Sequence, residues 1–221
     1  MTFNLTTSAL EKEIRTIAAT GVSGKISDYT SWVKMGVMLR LKEDVAIEES
    51  LVQEVLEKMK AAQDLDMNPQ NPDEYRLVPN SPLAGKRIAR DSYEVIGNLA
   101  SNPMQYVRSR LEFFLLRNSV TEDKIVDLTI GTVEAIENCV KYGTGNVKVE
   151  YSINKQNAFE ISVVNKIQHT DLEANLQQGK FSESNTLMRG LMVMEKLFDE
   201  VVLDINEDRN EALLSARKDV A

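Results

Sequence analysis

Residues 121–143, TEDKIVDLTIGTVEAIENCVKYG, are the stretch that decides the fold. Apolar side chains recur there every three or four positions, which predicts an amphipathic helix with one face in a core. A polar stripe follows the same spacing along the helix and consists of Asp127, Gly131, Glu134, Asn138 and Lys141. Asparagine is a poor residue for a helix interior, because its amide competes for backbone hydrogen bonds. Asn138, one turn after Glu134, could therefore help to hold a metal ion or a water beside a phosphate. The alternative is an ordinary solvated helix face.

Two motifs of the chain resemble those of the histidine-kinase-like ATPase superfamily, in the version found in anti-sigma-factor serine/threonine kinases of bacterial partner-switching systems. The segment 134–143, EAIENCVKYG, resembles the N-box of that family. The segment 188–201, MRGLMVMEKLFDEV, resembles its second glycine box and the helix that follows. The two motifs stand in the right order at a spacing of about 50 residues, which is more specific than either motif alone. The resemblance covers residues from about 86 to 219.

The resemblance implies an ATP-binding fold with assigned site residues. The fold is the Bergerat fold, an α+β two-layer sandwich with a mixed, mostly antiparallel sheet and helices on one face. The implied cofactors are ATP and Mg²⁺. Asn138 would be the metal ligand, and Glu134 would act as the catalytic general base near the γ-phosphate. The residues implied in nucleotide binding are Asn138, Lys141, Asn165, Arg189, Gly190 and Leu191. The polar segment 168–187 would be the lid over the nucleotide.

One motif of the family is degenerate in this chain. After the strand that ends near Val163, the family has an aspartate and two glycines that receive the adenine. This chain has Asn165-Lys166-Ile167-Gln168-His169 instead. An asparagine can still accept one hydrogen bond, but Ile167 adds bulk where a glycine would approach the base. A non-catalytic protein-binding module that has lost nucleotide therefore stays open as an alternative to a kinase.

The composition limits the class of protein. The formal net charge is −8, which disfavours direct binding to nucleic acids or anionic membranes. Cys139 is the single cysteine, so no disulfide can form within one chain. No apolar run reaches the roughly 20 residues that span a bilayer. The opening residues MTFNLTTSAL are unlike a signal peptide. We expect a cytoplasmic protein.

Three regions are predicted along the chain. Residues 1–63 form a helix–strand–helix segment, with the strand placed at residues 33–41 because apolar residues alternate there. Residues 64–85, rich in Pro, Asn and Asp, are predicted as a linker. Residues 86–221 form the ATPase domain, in the order strand, helix, helix, strand, strand, loop, helix, strand, strand. The first segment is too small for a large core, so we expect it to pack on the main domain or to mediate a homodimer.

The function implied by the resemblance is Mg-ATP-dependent phosphorylation of a small antagonist protein. That partner would be a STAS-like protein, and a sigma factor or another regulator would be a second partner. We expect neither direct binding of nucleic acid nor a membrane association.

Overall fold

The computed structural model describes residues 3–42, 44–97, 102–167, 190–206 and 208–221. The predicted lid (168–187), which includes His169, and the predicted nucleotide-binding residue Arg189 lie outside the described residues. The chain divides into two compact units. The first consists of Met1–Arg87 with Asn98–Arg117, and the second of Ile88–Gly97 with Asn118–Ala221.

The first unit is mainly helical. Its helices are α1 (Thr7–Ala18), α2 (Ile26–Leu41), α3 (Glu49–Ala61) and α4 (Pro103–Arg117). Two short strands, β1 (Phe3–Asn4) and β2 (Val45–Ala46), pair in parallel, and β3 (Leu65–Asn68) and β4 (Asn71–Leu77) form an antiparallel hairpin. A 3₁₀ turn follows at Pro82–Ala84.

Aromatic side chains from α2 and α4 form the centre of this unit. Trp32 is buried between Tyr29 and Tyr106, with ring centroids 5.2 and 5.4 Å away. The indole N–H of Trp32 donates to the carbonyl oxygen of Asn102 at 3.4 Å. Such rings bury a large apolar area and prefer tilted or edge-on geometry, so they dominate the energetics of a small core.

The strand predicted at residues 33–41 is wrong, because these residues belong to helix α2. Apolar residues are so dense in this segment that they satisfy both the strand period and the helix period, and Tyr29, Val33 and Val37 are all buried on the helix. The local start signal decides in favour of the helix: the carboxylate of Asp28 accepts the backbone N–H of Lys25 at 2.8 Å, which satisfies one of the free donors at a helix start.

The predicted linker, residues 64–85, contains the β3–β4 hairpin and the 3₁₀ turn. The prolines do not prevent the hairpin, because Pro69 lies between the strands and Pro72 stands near the start of β4, where a missing N–H is tolerated. Leu65, Tyr75 and Leu77 provide buried apolar side chains. The segment is therefore part of a folded unit.

The second unit contains a five-stranded sheet. Its strands are β5 (Arg90–Ile96), β6 (Gly143–Ile153), β7 (Ala158–Ile167), β8 (Glu200–Asn206) and β9 (Glu211–Asp219). They are arranged in the order β5-β6-β7-β9-β8, and every neighbouring pair is antiparallel. Each strand therefore directs alternate side chains to one face.

One face of this sheet carries the helical layer. Helix α5 (Glu122–Tyr142) buries its apolar face, including Leu128 and Ile136, and residues 190–197 are also helical. The inward side chains of β6 and β7 are buried: Val147, Val149, Tyr151, Phe159, Ile161 and Val163. The predicted α+β two-layer sandwich is thus confirmed, and the described helices and strands after residue 86 follow the predicted order. In the described part of the chain, no helix has the length and apolar character needed to cross a membrane.

Candidate functional site

Two polar residues of the N-box-like motif, Glu134 and Asn138, lie where α5 meets the helix at 190–197. Asn138 is buried, with 6% of its surface exposed, and Glu134 is half-buried. Asn138 is thus not part of a solvated helix face. A buried amide requires polar partners, because an unsatisfied polar group costs free energy when it is removed from water.

Gly190, at the first described residue of that helix, contacts both side chains. A Cβ atom at Gly190 would lie 2.1 Å from Asn138 Nδ2 and 3.0 Å from Glu134 Oε1. Only glycine leaves room for this close approach of backbone to side chain. The structure therefore brings together Glu134, Asn138 and Gly190, which stand in two motifs far apart in the sequence.

A second glycine, Gly131 of α5, lets Phe198 pack closely on this helix; Phe198 follows directly after the helix at 190–197. A Cβ atom at Gly131 would lie 2.5 Å from the ring of Phe198. The Phe198 ring is buried and packs on Phe159 of β7, with 6.4 Å between the centroids. The sequence pattern places Gly131 in the polar stripe, but in the structure it is a buried packing position. The signal in the sequence is the glycine itself, since a glycine in a helix interior costs about 1 kcal/mol relative to alanine.

Asn165 lies in β7 beside the C-terminal end of α5. It is buried, and its Nδ2 donates to the carbonyl oxygen of Lys166 at 3.3 Å. A Cβ atom at Gly143 would lie 2.4 Å from that same Nδ2 and 2.4 Å from the carbonyl oxygen of Cys139. Asn165 is therefore held close to the last turn of α5, in the turn next to Asn138.

The remaining predicted site residues are less constrained. Lys141 is exposed, and its ammonium group pairs with Glu137 at 2.5 Å on the outer surface of α5. Leu191 follows Gly190 in the helix and is half-buried. The structure does not test the predicted contacts of these residues with a nucleotide, and they stay predictions.

The donor set fits a magnesium ion that takes few of its ligands from the protein. Among the described residues, no three His, Cys, Asp or Glu side chains cluster as a metal site. The side chains of Asn138 and Glu134, one helical turn apart, are the protein groups near such an ion. The backbone at Gly190 closely approaches both of them. Mg²⁺ accepts this arrangement, because it keeps several waters and takes other ligands from phosphate oxygens.

Cys139 stands next to Asn138 in α5 and has no chemical role in this arrangement. Burial raises the pKa of its thiol to about 12. The thiol is therefore protonated at neutral pH, and the reactive thiolate is scarce.

A comparison with protein families agrees with this geometry. The family model described as a histidine kinase-like ATPase domain matches residues 100–216, slightly more than half of the chain. The comparison with curated proteins gives no match. The matched range contains α5, strands β6, β7 and β8, the first part of β9 and the helix at 190–197. It therefore includes the contact of Glu134 and Asn138 with Gly190. The chain belongs to the histidine kinase-like ATPase family.

Proposed function

We propose that this protein is an ATP- and Mg²⁺-dependent serine/threonine kinase of the anti-sigma-factor type. Family membership supports ATP binding at the level of the superfamily. The observation that carries the proposal further is the convergence of the Glu134 carboxylate and the Asn138 amide on the backbone at Gly190. At this junction of two helices, the carboxamide oxygen of Asn138 can bind a metal ion, and the carboxylate of Glu134 can accept a proton.

Each of these residues would have a separate task. Asn138 would hold Mg²⁺ through its carboxamide oxygen, and the ion would neutralise charge on the phosphates. Glu134, one turn earlier, would accept the proton of the attacking hydroxyl group. Gly190 would let backbone amides approach the phosphates at a helix start. Lys141, Asn165, Arg189 and Leu191 complete the proposed nucleotide-binding set.

The proposed substrate is a serine or threonine hydroxyl on a small STAS-like antagonist protein, and a sigma factor or another regulator is the second proposed partner. Both proposals come from the resemblance of segments 134–143 and 188–201 to anti-sigma-factor kinases. A cytoplasmic setting is part of the same proposal.

A non-catalytic protein-binding module is the second candidate. It is favoured by Asn165, which stands where the family has an aspartate, and by Ile167, which replaces a glycine. In this case the fold and a protein-contact surface would persist without nucleotide.

The first experiment tests nucleotide binding. Because a ligand that binds only the folded state stabilises it by mass action, Mg-ATP should raise the melting temperature, and omission of Mg²⁺ should reduce the shift. Asn138→Ala should abolish the dependence on Mg²⁺, whereas Asn138→Asp, which keeps an oxygen ligand, should retain it. The melting temperature of each variant without ligand is the control for folding. An unchanged wild-type curve at saturating Mg-ATP would favour the binding module.

The second experiment separates catalysis from binding. Glu134→Gln should leave the thermal shift with Mg-ATP intact and lower transfer of the γ-phosphate by roughly 10² to 10⁴, the usual contribution of a positioned base. Glu122→Gln is the matched control, because Glu122 is an exposed glutamate in the first turn of the same helix, about three turns before Glu134. The assay uses radiolabelled ATP and a STAS-domain protein from the same genome. Equal transfer by wild type and Glu134→Gln would remove Glu134 from the mechanism.

A further inference from the structure

Strand β8 (Glu200–Asn206) is an edge of the five-stranded sheet. Among the described residues it pairs only with β9, from Glu200↔Arg217 to Asn206↔Glu211. The pairing runs through all seven residues of the strand without a shift in register. The outer edge is thus a regular row of backbone donors and acceptors, and such a row is a template for pairing with another strand.

The side chains of β8 are unusually apolar for an edge. Val202 is 60% exposed and Leu203 is 40% exposed, and neighbouring residues of a strand point to opposite faces. Apolar surface is therefore exposed on both faces of the strand. Glu200 and Asp204 are its only charged residues.

The opposite edge of the sheet differs in this respect. Strand β5 (Arg90–Ile96) has charged residues at Arg90, Asp91 and Glu94, and Val95 is buried. Proteins protect exposed edges with charges, especially lysine, with proline or with bulges. Strand β8 has no lysine, no proline and no bulge.

We propose that β8 pairs with β8 of a second copy of this chain, antiparallel and with Leu203 on the two-fold axis. In this register Leu203 faces Leu203, Val201 faces Ile205, Val202 faces Asp204, and Glu200 faces Asn206. The two five-stranded sheets then form one continuous sheet. The Leu203–Leu203 and Val201–Ile205 pairs bring apolar side chains together, and the Glu200–Asn206 pair places an amide beside a carboxylate. No pair places like charges opposite each other.

The charges on β8 favour the register with Leu203 on the two-fold axis over the register with Val202 there. If Val202 lay on the axis, Glu200 of each copy would face Asp204 of the other, and like charges directly opposite each other destabilise a sheet. A two-fold axis at Leu203 avoids this repulsion and buries the exposed Val202 and Leu203 of both copies. The occupant is therefore a second copy of the chain in one defined register.

Cysteine cross-linking tests the register directly. In a Cys139→Ala background, Leu203→Cys should give a covalent dimer on mild oxidation, because directly opposite Cβ atoms lie about 4.5–5.5 Å apart. Val201→Cys is the matched control on the same face. Its twin would lie about 13 Å away, four residues along the strand, and should not cross-link. A mixture of Val201→Cys and Ile205→Cys chains should cross-link. Equal yields for Leu203→Cys and Val201→Cys, or no covalent dimer, would overturn the proposal.

Charge reversal tests the same interface without a covalent bond. In Val202→Glu the new carboxylate faces Asp204 of the other copy twice per dimer, so the dissociation constant measured by sedimentation should rise roughly tenfold. Adding Asp204→Lys should restore the dimer, because the carboxylate introduced at position 202 would then face a lysine. The defect of Val202→Glu should shrink in high salt. A monomeric wild type at every concentration, or a folded double variant that stays monomeric, would overturn the proposal.

Discussion

At the scale of single residues, the candidate site depends on two glycines, whose missing side chains leave room for close packing. Gly190 allows its backbone to approach Asn138 and Glu134, and Gly131 allows the Phe198 ring to approach α5. Neither glycine has a positive φ, so both are required for space and not for backbone conformation. Gly190 can be recognised from the sequence, because it stands in the segment 188–201 that resembles a glycine box. The role of Gly131 appears only when Phe198, far along the sequence, is brought against it.

The neighbouring Cys139 gives a prediction that depends on pH. Burial raises the pKa of its thiol to about 12, whereas the unfolded thiol titrates near its ordinary value of about 8.5. Cys139 in the folded protein should therefore react slowly with a thiol reagent at pH 8, and it should react much faster when the protein is unfolded. Since the folded state holds its proton more tightly, this group stabilises the fold below the unfolded pKa, and that contribution is lost as the pH rises toward 12. Equal labelling rates for folded and unfolded protein would contradict the assignment.

At the scale of elements, helix α5 packs against the ring of Phe198 at Gly131. Gly131→Ala should lower the free energy of unfolding, although alanine favours helices by about 1 kcal/mol. The new Cβ would lie 2.5 Å from the Phe198 ring, and overpacking of a buried site costs about 1–3 kcal/mol. Gly36→Ala in α2 is the control, because its nearest neighbour is the distant end of Arg40 at 3.9 Å, so that change should stabilise. Chemical denaturation of both variants checks the sign.

The elements also show which parts of the fold the sequence can predict. Helix α5 and strands β6 and β7 have a single clear period each, and the structure confirms them. Helix α2 is mispredicted because its apolar residues fit two periods, and only Asp28 at its start distinguishes them. The β3–β4 hairpin escapes prediction because its prolines outweigh Leu65, Tyr75 and Leu77, whose burial depends on distant neighbours. Local patterns predict elements when one period dominates, and tertiary contacts decide the others.

At the scale of the whole molecule, the two compact units are interleaved in the sequence. The chain passes between them after residues 87, 97 and 117. Helix α4 lies inside the matched family range, which starts at residue 100, yet it belongs to the first unit. Its contacts there include Gln105 Nε2 to the carbonyl oxygen of Ser23 at 2.9 Å and Arg117 to the carbonyl oxygen of Ala84 at 3.0 Å.

This arrangement predicts how the chain responds to truncation. A fragment of residues 86–221, the ATPase domain as predicted from the sequence, keeps α4 but removes Trp32, which packs on Tyr106, and the backbone partners of Gln105 and Arg117. The fragment should melt roughly 10 °C or more below the intact chain, because each kcal/mol lost shifts the melting temperature by about 2–4 °C at this size. Trp32→Ala in the full chain is the companion variant, and it should show part of the loss through an aromatic cavity worth about 3–5 kcal/mol. Calorimetry of the three proteins measures these shifts. A fragment as stable as the intact chain would show that α4 needs nothing from residues 1–85, and that the sequence-based boundary at residue 86 marks a domain that folds by itself.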